Sequence, residues 1–166
     1  VTSLQRLLRP EPTALAVELR AVTAMTVAAV EGTVELDDVL RRYSGAMAEL
    51  DALVGMPGPP GGLYDNDLFT AGRGRVLVYR PTAAPPRTGR VHPATLPAVE
   101  LAVATHVGDH DSIDVTYGEL GRWVVEHALA VAGPVRETYL TGPRDTADPA
   151  AWRTEIGWPV FRLAAP

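Results

Sequence analysis

The side chains best placed to do chemistry lie near the C-terminus, in Trp152-Arg-Thr-Glu-Ile-Gly-Trp-Pro-Val160. Strand alternation puts Thr154, Ile156, Trp158 and Val160 on one face and Glu155 with Gly157 on the other. The apolar face wants a core. The other offers one carboxylate beside a position with no side chain, with tryptophans on both sides. A carboxylate buried without a partner is costly or takes up a proton. An organic cation arriving there restores the missing charge, and each aromatic face it meets adds about 0.5–2 kcal/mol. With its pKa raised, the same acid would serve as a general acid or base near neutral pH. Tyr139 would then be the proton donor, and His106 a further candidate base. For a strand glutamate taken alone, a solvated position on an open sheet face is the simpler reading; the rest of the chain shifts that balance.

Other constellations carry less. His106 and His110 have the i, i+4 spacing that binds zinc on a helix, with Asp109 and Asp111 nearby. Gly108 between them marks a strand-to-helix turn where the rings need not converge, so no metal site is expected. Asp65-Asn66-Asp67 starts like a calcium loop but lacks the required glycine and terminal glutamate, and reads as turn chemistry. Gly55-Met-Pro-Gly-Pro-Pro-Gly-Gly62 lacks the Gly-Lys-Ser/Thr ending of a phosphate cradle and reads as a connector. No Gly-x-Ser-x-Gly, Walker or dinucleotide motif occurs, and no cofactor is expected.

Composition narrows the class. A chain of 166 residues, 46% hydrophobic and 21% charged, suits one soluble domain with a real core. Its net charge of −5 comes without a Lys/Arg cluster, which argues against direct nucleic-acid binding. With no cysteine there is no disulfide, thiol nucleophile or thiolate-bound zinc, which fits a cytoplasmic protein. No apolar run is long enough to span a bilayer, and no leader is evident. The first residue is Val, consistent with loss of an initiator Met or with a piece of a longer protein.

The elements that must position the acid follow from periodicity. Residues 1–12 read as a short tail ended by Pro10 and Pro12. Ala16 to Val34, rich in Val, Thr and Ala, reads as a strand, a bend near Ala24-Met25 and a second strand. Leu36 to Val54 switches to a helical period through Val39, Leu40, Tyr43, Met47 and Leu50. Tyr64 opens an extended piece; Gly72-Arg-Gly74 is a hairpin turn before a strand at Arg75–Tyr79; Thr82 to Gly89 is a Pro/Ala-rich linker. Then the order restarts. Ala98–Val107 is strand-like, Ile113–Val131 helical with Asp111 as N-cap, Arg136–Leu140 a short strand, and the Glu155 strand closes the chain.

The second pass matches the first. Gly32 corresponds to Gly108, Tyr43 to Tyr117, Tyr64 to Tyr139 and Arg80-Pro81 to Trp158-Pro159, at separations of 74 to 78 residues. This predicts an α+β domain spanning 13–166, built from two pseudo-repeats, about 16–81 and 96–162. Leu77 then answers Glu155, and Tyr79 answers Gly157. Two sheets, each covered by its helix on one face, would meet across a cleft holding one carboxylate and several rings. Tyr43 and Tyr117 read as structural, Trp158 as core, and Trp123 as either packing or pocket.

The residues also carry a resemblance. Leu96-Pro97, Ala104-Thr-His-Val-Gly108, Tyr117 with Trp123, Tyr139-Leu-Thr-Gly142 and above all Trp152–Pro159 resemble GyrI-like small-molecule-binding domains. That family includes gyrase-inhibitory proteins and the C-terminal effector domains of multidrug-sensing MerR-type and AraC-type regulators. The resemblance covers roughly Ala16 to Arg162. It implies a tandem of strand–helix–strand–strand (SHS2-type) units with a ligand cleft between the halves, and capture of hydrophobic aromatic or cationic small molecules for sensing or sequestration. It carries Glu155 over as the acid of the pocket floor and Tyr139 as an aromatic wall. Facing and the repeat add Trp123, Tyr64 and Tyr79, with Trp152 and His106 beside them. No helix-turn-helix precedes the domain in the given sequence. The resemblance also implies two alternatives: a hydrolase of cyclopropane-containing alkylating natural products, with Glu155 and Tyr139 catalytic, and a gyrase- or protein-binding module.

Overall fold

A computed structural model describes residues 15–55 and 58–164, so the tail expected over 1–12 lies outside the described residues. The first half runs β1 (Glu18–Val22), β2 (Met25–Glu35), α1 (Val39–Val54), β3 (Gly61–Tyr64), the short α2 (Asn66–Thr70) and β4 (Arg73–Pro81). The second runs β5 (His92–Leu96), β6 (Val99–Val107), α3 (Ile113–Glu126), β7 (Leu129–Val131), β8 (Val135–Thr141) and β9 (Arg153–Arg162). The expected duplication is visible in the pairing: β2 joins β4, which joins β3, just as β6 joins β9, which joins β8. The halves meet where β3 pairs with β8.

Several boundaries move. Gly61 and Gly62, read as connector, belong to β3. Leu68 is buried, and this pulls the segment after Asp65 into a turn of helix. The Pro-rich stretch is followed by the unforeseen β5, which pairs with β2. Helix α3 ends at Glu126, not Val131: Ala128 takes φ 54°, and Leu129–Val131 leaves to pair with the end of β9. Asp111 does not cap it. Asp109 instead accepts from the Asp111 amide in the preceding turn, and Ser112 occupies the cap position. Gly32 sits inside β2, where the ladder matches it to His106 rather than to Gly108.

The expectation of two sheets facing across a cleft is replaced by one continuous sheet. Val22 opposes Val99 and Met25 opposes Leu96, so the β1–β6 and β2–β5 ladders share one register across the bends at Thr23-Ala24 and Pro97-Ala98. Two bent strands thus tie the sheet's far ends together and force it to curl. Both long helices pack outside the curl. The main core lies beneath them, with Leu50 of α1 and Leu120 and Val124 of α3 against Val30, Val78, Ala104 and Ile156. A second cluster of Val27, Ala29, Tyr79 and Leu96 fills part of the inner face. Each helix contacts strands of its own half, leaving β3 and β8 at the centre between them.

Candidate ligand site

Residues directly opposed across an antiparallel ladder point to the same face. Thr138 opposes Glu155 and Tyr139 opposes Thr154. Glu155 therefore points to the inner face and Tyr139 to the helix face, so the two cannot work on one substrate. On the inner face, Glu155 and Tyr79 do line one cavity, of about 470 Å³, together with Arg20, Leu101, Arg136 and Thr138. Glu155 is not the isolated acid expected there, because Arg20 Nη1 donates to its Oε1 at 2.7 Å. The gap at Gly157 is narrowed by Leu101, whose Cδ1 would stand 3.0 Å from an added Cβ.

The carboxylate among aromatic rings is Glu137, one strand away and on the opposite face. Glu137 and Tyr139 are two apart on β8, hence side by side. Glu137 is 8% exposed. Tyr117 donates to Oε1 at 2.6 Å and Tyr139 to Oε2 at 2.7 Å. The Tyr64 hydroxyl donates in turn to Tyr139. Among the described residues, no Arg, Lys or His lies within ion-pair distance of this carboxylate. Tyr43 of α1 meets the Tyr139 ring edge-on at 5.1 Å, and His110 lies 5.9 Å from it. Tyr117 of α3 meets Trp158 edge-on at 5.9 Å, and the Phe69 ring stands 5.6 Å from that of Tyr117.

The elements explain this convergence. Tyr43 and Tyr117 hold matching places on the two helices, and Tyr64 and Tyr139 matching places on the two central strands. The repeat brings all four to its local axis. Gly61 and Gly62 make room: an added Cβ would strike the Tyr79 ring at Gly61 and the Tyr64 ring at Gly62. Burial raises the pKa of Tyr43 to about 12 and pushes Tyr64, Tyr117 and Tyr139 well above the ordinary phenol value. The nearby Glu137 charge acts in the same direction. The four hydroxyls therefore stay protonated as donors at neutral pH.

The remaining expected site residues are dispersed. His106, 3% exposed, is held by Thr116 Oγ1 at 2.8 Å and by the Asp109 carbonyl, and so anchors the turn into α3 rather than standing free as a base. His110 bonds Thr154 at 2.9 Å, and its ring lies 6.4 Å from that of His106. Trp123 stacks on His127 at 3.8 Å near the end of α3, and Trp152 donates to the Thr146 carbonyl at 2.9 Å. Neither tryptophan joins Glu155 or Glu137. The signal missed in the sequence was Glu137-x-Tyr139, an acid and a ring on one strand face.

A curled antiparallel sheet, duplicated about its centre and carrying one helix per half, defines a class of ligand-binding domain. The sequence matches the GyrI-like small molecule binding domain over residues 15–160, and the chain belongs to that family. No curated protein sequence matches it. Among solved structures, the EcmrR C-terminal domain aligns with a TM-score of 0.77 at 19% identity, over 91% of this chain and 100% of that one. Against the longer EcmrR chain in a complex with DNA, the TM-score is 0.78 at 19% identity; the match spans 98% of this chain and 63% of that one. SAV2435 bound to tetraphenylphosphonium aligns at 0.64 and 16% identity, over 89% and 94%. A hydrolase encoded by lin2189 from Listeria innocua aligns at 0.60 and 17% identity, over 94% and 98%. At these identities the likeness is one of fold. No helix among the described residues is long and apolar enough to cross a membrane.

Proposed function

We propose that this domain captures bulky aromatic cations between its two helices, with Glu137 as counter-ion, for sensing or sequestration. The observation that carries this reading is a nearly buried carboxylate that, among the described residues, is satisfied by phenol hydroxyls alone and is surrounded by rings. Neutral donors leave its charge uncompensated, so a lipophilic cation gains Coulomb energy in a poorly hydrated site. Ring faces add cation–π attraction without demanding a particular ligand shape. The tetraphenylphosphonium bound to SAV2435 is a ligand of this chemical type. The test is a fluorescence titration with rhodamine 6G. Wild type should saturate, Glu137→Gln should bind about 10- to 100-fold more weakly, and Glu155→Gln should bind like wild type. Equal affinity in Glu137→Gln and wild type would refute the assignment.

The hydrogen-bonded chain Tyr64–Tyr139–Glu137 supports a second reading, hydrolysis of a strained electrophile. Tyr139 would give its proton to the substrate's carbonyl oxygen while water adds to the ring carbon and the ring C–C bond breaks; the proton lost by the attacking water would go to Glu137, which returns it to Tyr139. Mass spectrometry of a cyclopropane-bearing alkylator after incubation reads this out directly. Absence of a water-added product counts against hydrolysis and leaves the binding reading intact.

A further inference from the structure

We propose that the inner-face cavity is a second ligand site, of opposite preference, which binds small organic carboxylates through Arg136. Arg136 projects from β8 toward the bend of the opposite strand pair, where one Nη2–H donates to the Pro97 carbonyl at 2.6 Å. The residue is 7% exposed, and among the described residues no carboxylate lies within ion-pair distance of it. A guanidinium has five N–H donors in a planar fork suited to two carboxylate oxygens. A buried cation without a counter-ion is as unsatisfied as a buried anion. The space beside it, about 470 Å³, lies within the range of small-molecule pockets.

The charges lining that space favour an anion. Arg20 and Arg136 line it with one carboxylate, Glu155; Arg20 is already engaged by Glu155 at 2.7 Å and by Glu18 at 3.2 Å, which leaves Arg136 as the lining cation with no carboxylate of its own among the described residues. Tyr79, Met25 and Leu101 supply apolar wall for the body of a ligand. The ligand class is therefore an aromatic or aliphatic monocarboxylate, its head on the Arg136 fork and its body toward Leu101 and Met25. The sheet itself separates this cavity from the Glu137 cage. The two sites are distinguished by the sign of the ligand each attracts.

The experiment is isothermal titration calorimetry of the full chain with 1-naphthoate. Wild type should bind saturably, and Arg136→Gln should weaken binding by about tenfold or more, since a bidentate charged contact is lost. Glu155→Gln removes the one carboxylate among the described residues that line the cavity and should tighten binding by roughly three- to tenfold. That gain cannot come from a misfolded variant. Glu137→Gln should leave naphthoate affinity unchanged, which separates this proposal from the cation-binding one. Failure of 1-naphthoate to saturate wild type overturns the proposal, as does wild-type affinity in both Arg136→Gln and Glu155→Gln.

Discussion

Replacing Tyr139 by Phe removes one oxygen and leaves the ring, which separates what the phenol does from what the aromatic face does. The hydroxyl sits between two buried groups, donating to Glu137 Oε2 at 2.7 Å and accepting from Tyr64. Losing the first bond takes away a charge-assisted contact of about 1.5–3 kcal/mol, and stranding the Tyr64 hydroxyl costs about 1–3 kcal/mol. Relaxation recovers part of this, so a net destabilisation of about 2–4 kcal/mol is expected. For a domain of this size, each kcal/mol shifts Tm by about 2–4 °C. Thermal unfolding followed by circular dichroism should therefore show Tm lower by about 5–15 °C. Rhodamine 6G affinity should change by less than about threefold, because the ring face and the Glu137 charge remain. If the site is instead hydrolytic, the same substitution abolishes turnover, since the proton donor is gone. A Tm within 1–2 °C of wild type would refute the hydrogen-bonded chain as described.

Two other outcomes follow from the same geometry. All five tyrosines have pKa values raised by burial, Tyr43 to about 12, whereas in the unfolded chain each ionises near 10. The folded state holds the phenol protons more tightly, so this contribution to stability is complete below pH 10 and is lost as pH rises toward 12. A spectrophotometric titration should show little phenolate below pH 10.5 and then a rise coincident with unfolding; a full tyrosine titrating near pH 10 in folded protein would contradict the burial. Gly61→Ala should destabilise by about 2–3 kcal/mol or more: its Cβ would stand 2.6 Å from the Glu137 carbonyl, and backbone cannot step aside. Denaturant melts that superpose on wild type would count against this.

Much of the fold was legible because it is periodic. The amphipathic stripe of α1, the alternation in β9 and the recurrence of Tyr43/Tyr117 and Tyr64/Tyr139 all survive in the structure. Closure of the sheet was not legible, because it depends on register across the Thr23-Ala24 and Pro97-Ala98 bends, and two short bends carry no periodic signal. The end of α3 was misjudged because Leu129 and Val131 are apolar in either period, and only pairing with Val160–Arg162 decides between them. At the site, the sequence reading looks for one acid with a vacant position beside it, Glu155 with Gly157, and for rings around them. Glu155 draws that reading because its neighbours are tryptophans in sequence. In the fold, side-chain alternation turns Glu155 away from Tyr139, and Arg20, 135 residues away, pairs with it.

The duplication also explains why the cage holds one acid and not two. Register makes Gly62 the repeat counterpart of Glu137, and the same register makes them direct partners across the β3–β8 ladder. A symmetric ancestor with an acid at both places would set two carboxylates about 4.5–5.5 Å apart at the Cβ level. The pair would take up one proton from solvent and share it, presenting about one negative charge divided between two groups. With glycine at position 62, the Tyr64 ring lies over the vacated space, and its hydroxyl joins the donors that hold Glu137 through Tyr139. The asymmetry converts a repelling pair into a single charge with a single orientation. Gly62→Glu tests this directly: Tyr64 would be displaced, and rhodamine 6G binding should fall and become dependent on pH near neutrality. Unchanged, pH-independent dye binding in that variant would place the captured cation somewhere other than the axis between the halves.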